Sequence, residues 1–78
     1  MRVRVKLFGT LQRLSPPAAP GRLELDIPAG ASVQELINLL QPRPGEVAGT
    51  AINGKACSPS QRIQEGDEVY LLNMLGGG

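Results

Sequence analysis

Two stretches of the chain alternate strictly between apolar and polar residues. Across residues 2–7, Val3, Val5 and Leu7 fall on one face while Arg2, Arg4 and Lys6 fall on the other. Across residues 22–27, Leu23, Leu25 and Ile27 oppose Arg22, Glu24 and Asp26. Successive side chains of a strand point to opposite faces, so this period of two predicts strands with one dry and one wet face, as in antiparallel or mixed sheets. The period then changes. Val33, Leu36, Ile37 and Leu40 recur at helical spacing and form one apolar stripe about 100° wide. Ser32 and Glu35 form a capping box at its start: the serine hydroxyl takes the Glu35 N–H, and the Glu35 side chain returns to the Ser32 N–H. Pro42 and Pro44 stop the helix near Leu40 or Gln41. A helix of about nine residues is too short to be stable alone, so its stripe must lie on the sheet.

The rest of the chain is read from its punctuation. Residues 8–21 carry Leu11 and Leu14 at a short spacing and then Pro16, Pro17 and Pro20, which predicts an irregular connection with one helical turn before the prolines. Pro28-Ala29-Gly30 ends the second strand. Thr50-Ala51-Ile52 and Lys55-Ala56-Cys57 flank Asn53-Gly54, the commonest signal for a type I′ hairpin. Ser58-Pro59 and Glu65-Gly66-Asp67 read as turns, with Ile63 a buried anchor between them. A final strand from Glu68 to about Leu75 would place Val69 and Leu71 on one face and Tyr70, Leu72 and Met74 on the other. The order is two strands, a helix, a hairpin and a last strand. That order predicts the α+β class, with a mixed sheet of about five strands packed on one main helix, the β-grasp (ubiquitin-like) architecture. Residues 1–75 are expected to form the domain and 76–78 a flexible glycine tail.

Composition narrows the chemistry more than the fold. With 78 residues the chain makes one small domain. Its apolar burial and its ordering entropy nearly cancel, which leaves little stability to spend on a large buried active site. There is no His, hence no imidazole base, no Ser–His or Cys–His pair and no His-ligated metal. A single Cys forms neither an internal disulfide nor a four-Cys zinc site. No Trp, one Tyr and one Phe argue against a stacking platform for single-stranded nucleic acid. Eight basic and seven acidic residues give a net charge of +1, with no long run of one sign, so neither nucleic acid nor a membrane surface is an expected partner. The basic stripe of β-type residues 2, 4 and 6 would face Glu24 and Asp26 across a hairpin and be locally neutralised. Arg2, Arg4 and Lys6 also stand where a signal peptide needs its apolar core, and no apolar stretch approaches about 18 residues. A cytoplasmic protein is expected. No bound cofactor or metal is expected, and self-contained catalysis is nearly ruled out.

The most unusual feature is the end of the chain, Leu75-Gly76-Gly77-Gly78. One reading is an inert terminal tail. The other is a reactive α-carboxylate on a slim arm: without Cβ atoms, glycines thread a narrow channel, and the arm reaches roughly 13 Å beyond Leu75 at ~3.3 Å per residue. On the second reading Gly78 is the reacting residue, and Gly76 and Gly77 give access.

Several segments, taken in order, resemble the ubiquitin-like sulfur-carrier family, the MoaD/ThiS group. They are Val3-Arg4-Val5-Lys6-Leu7-Phe8-Gly9-Thr10-Leu11, Ile27-Pro28-Ala29-Gly30-Ala31-Ser32-Val33, Ile52-Asn53-Gly54, Glu65-Gly66-Asp67-Glu68-Val69 and the terminal Gly77-Gly78. The opening through Leu14 is most similar to the small subunit of molybdopterin synthase. The resemblance implies that an ATP-dependent adenylyltransferase of the MoeB/ThiF type converts the Gly78 carboxylate to an acyl-adenylate. A persulfide sulfur donor would then displace AMP and leave a thiocarboxylate. That group would give its sulfur to a pterin precursor held by a larger, MoaE-like catalytic subunit in molybdenum cofactor biosynthesis. The chain would not be an enzyme by itself, and ATP, metal and base would belong to its partners.

Three glycines stand where the family typically has two, preceded by Met74-Leu75, and the pathway stays open. A thiamin-pathway or other sulfur carrier, a protein modifier that forms isopeptide bonds from Gly78, and a β-grasp binding module with an inert tail are the alternatives. Strand parity puts Phe8, Tyr70, Leu72 and Met74 on the outer face beside the basic stripe, with Leu75 following, and an apolar patch rimmed by charge is an expected partner-docking surface. Without a His beside it, Cys57 reads as an ordinary small side chain near a hairpin. Lys55 reads as a solvated turn lysine, and Asp67 and Glu68 fit a turn better than a catalytic pair.

Overall fold

A computed structural model of the chain describes residues 1–73. The expectations placed on Met74, Leu75, Gly76, Gly77 and Gly78 lie outside the described residues. Seven elements follow one another: β1 (Arg2–Leu7), a 3-10 helix (Gly9–Leu14), β2 (Arg22–Asp26), α1 (Val33–Leu40), β3 (Gly49–Ile52), β4 (Lys55–Ala56) and β5 (Glu68–Leu72). The strands form one five-stranded sheet in the order β2-β1-β5-β3-β4. β1 and β5 run parallel and the other neighbours antiparallel, so the sheet is mixed. This is the expected β-grasp layout, a mixed sheet and one main helix.

The alternation in β1 and β2 fixes their register. Arg2 stands opposite Asp26, Arg4 opposite Glu24 and Lys6 opposite Arg22, which leaves Val3, Val5 and Leu7 buried on the inner face. Val33 and Leu36 of α1 lie against that face, joined by Leu11, Ile27, Ala31, Ile63, Val69 and Leu71 in one core. The capping box is complete, with the Glu35 N–H donating to the Ser32 hydroxyl at 3.2 Å and the Ser32 N–H donating to the Glu35 carboxylate at 3.2 Å. The helix ends where Gln41 turns to a φ of 53° and gives its N–H to the Ile37 carbonyl at 3.1 Å. Pro42 disfavours a right-handed helical conformation in the residue before it, which is why the stop falls there. Asn53 (φ 52°) and Gly54 (φ 86°) both take the positive angles of a type I′ turn.

Three boundaries differ from the sequence reading. The connection after β1 holds six residues of 3-10 helix rather than one turn, because the Leu11–Leu14 spacing of three matches that helix and keeps Leu11 fully buried. β2 ends at Asp26; Ile27 is still buried, but its N–H goes to the Met1 carbonyl at 2.8 Å. β5 ends at Leu72, short of the expected Leu75. The Phe8 N–H reaches the Leu71 carbonyl at 3.2 Å and the Ala48 N–H reaches the Leu72 carbonyl at 2.7 Å. At Asn73 the side chain makes the bonds instead. Because β5 is the central strand, the described residues end beside the middle of the sheet. Among the described residues no helix is long and apolar enough to cross a membrane.

Candidate functional site

Parity along β1 and β5 brings Phe8, Tyr70 and Leu72 to the outer sheet face, as expected. Lys6 pairs in register with Tyr70, and Phe8 follows one turn of the pleat later. The Phe8 and Tyr70 rings stack with centroids 6.1 Å apart and planes 17° from parallel. The Lys6 ammonium sits 5.6 Å from the Tyr70 ring centroid, within cation–π range. The Tyr70 hydroxyl donates to the Glu68 carboxylate at 3.0 Å. That bond, with burial and the Glu68 charge, raises the phenol's pKa, and the nearby Arg4 opposes the shift. Phe8 and Leu72 each remain 39% exposed. The patch is therefore ordered by its own contacts and still open, which suits a surface that docks without reorganising. Met74 and Leu75, the other two expected docking residues, lie outside the described residues.

The charge around this patch is only partly neutralised. Arg2 pairs with Glu24 at 3.3 Å and Asp26 at 3.5 Å, both pairs exposed. Arg4, Lys6 and Arg22 make no ion pair among the described residues, so the local neutralisation expected across the hairpin is met only at Arg2. The reason is geometric: Arg2 reaches diagonally and engages Glu24, the residue in register with Arg4, while Lys6 faces another cation in Arg22. These three cations line a shallow cleft of about 610 Å³ with Glu24 and Glu68, walled by Pro16 and Ala19.

Sequence reasoning missed Glu46. Its side chain is 5% exposed, and its carboxylate accepts three bonds: Arg13 at 2.5 Å, the Thr10 hydroxyl at 2.7 Å and the Arg43 N–H at 2.8 Å. The Thr10 bond first, then the Arg43 N–H and the Arg13 guanidinium, hold its pKa below the ordinary carboxylate value, while burial pushes the other way. Its backbone carbonyl also accepts the Asn73 side-chain amide at 2.7 Å. The one local hint was Gly45, a turn residue that takes a φ of 75° just before Glu46. Its side-chain partner Thr10 lies 36 residues away, a separation that leaves no local pattern.

The remaining candidates have structural work. Cys57 is half-buried beside Thr50, whose hydroxyl donates to the Cys57 carbonyl at 2.6 Å. Lys55 is exposed in β4. Asp67 closes its turn by accepting the Gln64 N–H at 2.8 Å and the Asn53 side-chain amide at 3.1 Å. Among the described residues no cluster of His, Cys, Asp or Glu is placed to hold a metal ion. Gly76, Gly77 and Gly78 lie outside the described residues.

Comparison with known proteins bears on the whole chain. Residues 5–78 match the family model of the ThiS family. The small archaeal modifier protein SAMP1 from Haloferax volcanii superposes with a TM-score of 0.74 at 21% identity, covering 100% of both chains. A second structure of that Haloferax protein gives a TM-score of 0.73 at 20% identity, covering 95% of this chain and 98% of the other. A Pyrococcus furiosus protein provisionally identified as molybdopterin converting factor, subunit 1, superposes with a TM-score of 0.73 at 27% identity, covering 95% of this chain and 98% of the other. No curated protein matches the chain.

Proposed function

This chain belongs to the ThiS family, the small ubiquitin-like carriers, and from that premise we propose that it carries sulfur on its C-terminal glycine for molybdopterin synthesis. The observation that carries the reading is the position of the chain's exit. The strand before the glycines is the central one, and its outer face presents the Phe8–Tyr70 stack and Leu72. A partner seated on that face meets the chain where it leaves the sheet. The Pyrococcus likeness favours the molybdopterin branch over the thiamin branch.

Each step places its chemistry where this chain supplies only a carboxylate. A carboxylate is a poor electrophile, so an adenylyltransferase of the MoeB/ThiF type joins Gly78 to AMP and releases pyrophosphate. A persulfide then attacks the acyl carbon and expels AMP, and a thiol removes the outer sulfur's former partner as a disulfide. What stays on Gly78 is a thiocarboxylate, ionised and nucleophilic at neutral pH. It transfers sulfur to a pterin precursor bound by the MoaE-like subunit. Gly76 and Gly77 present no Cβ to the channel walls.

The test is intact mass after incubation with ATP, an activating enzyme of this type and a persulfide donor. Exchange of one oxygen for sulfur in the full chain, absent when Gly77 and Gly78 are both deleted, is the expected result. A ladder of lysine adducts on other proteins would point to a modifier instead, and an unchanged mass with several such enzymes would remove both readings.

A further inference from the structure

A central strand ends where its neighbours stop offering hydrogen bonds. On the β1 side of β5 the Phe8 N–H bonds the Leu71 carbonyl at 3.2 Å, and on the β3 side the Ala48 N–H bonds the Leu72 carbonyl at 2.7 Å. One residue farther, a single side chain serves both flanks. The Asn73 amide nitrogen donates to the Glu46 carbonyl at 2.7 Å, in the segment entering β3. Its amide oxygen accepts the Thr10 N–H at 3.4 Å, in the segment leaving β1. The two anchors are themselves joined, because the Thr10 hydroxyl donates to the Glu46 carboxylate at 2.7 Å. Asn73, Glu46 and Thr10 thus close a ring of hydrogen bonds around the exit of the chain.

The anchor is stiff for a physical reason. A buried carboxylate is tolerated only when its acceptor sites are filled, and Arg13 and the Arg43 N–H complete what Thr10 begins. Those donors come from the 3-10 helix and from the segment before β3, so Glu46 locks both flanks of β5 to each other. The ring is not required by the core, whose last contribution from this strand is Leu71.

We propose that Asn73 is a positioning residue: held by Glu46 and Thr10, it fixes where the chain leaves the sheet and hence how far Gly78 reaches into the activating partner. This deepens the carrier reading and rests on it. Five residues follow Asn73 in the sequence, a reach of at most about 18 Å at full extension. Releasing Asn73 adds slack at the base of that reach. The freedom of one more residue dilutes the terminus at the partner's site by roughly tenfold.

Two variants of the full chain test this. Asn73→Asp keeps the shape and the acceptor but loses the donor to Glu46; Asn73→Ala loses both without adding charge. With ATP and the activating enzyme, pyrophosphate release should show kcat lowered about tenfold and the KM for the chain changed less than about twofold, since the docking face is untouched. The Asn73 side-chain amide protons of the wild-type chain should exchange slowly, held by the Glu46 carbonyl, and free exchange there overturns the positioning role. Wild-type kcat in both variants, or a lower melting temperature with kcat and KM unchanged, overturns the positioning role. A wild-type chain that is never adenylated overturns the carrier reading and this inference together.

Discussion

Replacing Phe8 with Ala tests the docking face, with folding followed alongside. At 39% exposure the ring leaves about 80 Å² open to solvent, taking its full burial as roughly 200 Å². Covering that area in a complex is worth about 2 kcal/mol at ~25 cal/mol/Å². Phe8→Ala should therefore weaken binding to the activating enzyme about thirtyfold. The folding cost is of at least similar size: the roughly 120 Å² of the ring already buried is worth about 3 kcal/mol, and the stack on Tyr70 about 1 kcal/mol beyond that. A domain of this length has a total stability of roughly 4–12 kcal/mol, so binding is compared at a temperature where the melts show the variant folded. The assay is a titration of the enzyme with each chain, read as Kd, alongside thermal melts. Leu39→Ala is the control. Leu39 is 58% exposed, more than Phe8, but it belongs to α1, which covers the other face of the sheet. Its removal should leave Kd within about twofold. If Phe8→Ala binds as tightly as the wild type, or Leu39→Ala loses as much, the outer sheet face is not the docking surface.

Two predictions concern the scaffold. Leu36 is fully buried between α1 and the sheet, so Leu36→Ala should cost about 3 kcal/mol and lower the melting temperature by roughly 10–25 °C, measured by circular dichroism. Glu46 has a pKa lowered by folding, so its contribution is present above the unfolded value and is lost as pH falls through the folded one. In acid titrations followed by thermal melts, stability should fall below about pH 4.5, and Glu46→Gln should flatten that fall while being less stable near neutrality. An equally steep fall in the Gln variant would mean that other carboxylates govern the acid limb.

Most of the fold was legible because its determinants are local. Val3, Val5 and Leu7 alternate within one strand, Ser32 and Glu35 lie within one turn, and Asn53-Gly54 encodes its own hairpin. Outer-face placement of Phe8, Tyr70 and Leu72 followed from parity alone. What escaped was set by distant partners. The end of β5 at Leu72 depends on where β1 and β3 stop offering donors, and the apolar Met74-Leu75 that follow disguised it as a longer strand. Glu46 went unremarked, since Thr10 and Asn73 meet it only after the sheet has closed. The local neutralisation expected across the hairpin also gathers on Arg2, which reaches diagonally to Glu24 and leaves Arg4 and Arg22 without ion pairs among the described residues.

The central claim is that the chain's reactive group is its terminal carboxylate and not a side chain. Fragmentation mass spectrometry of the C-terminal peptide, after reaction with ATP, activating enzyme and persulfide donor, tests it directly. The expected result is sulfur in place of one oxygen on Gly78, with Cys57 unmodified. Sulfur added at Cys57, with Gly78 unchanged, would contradict it.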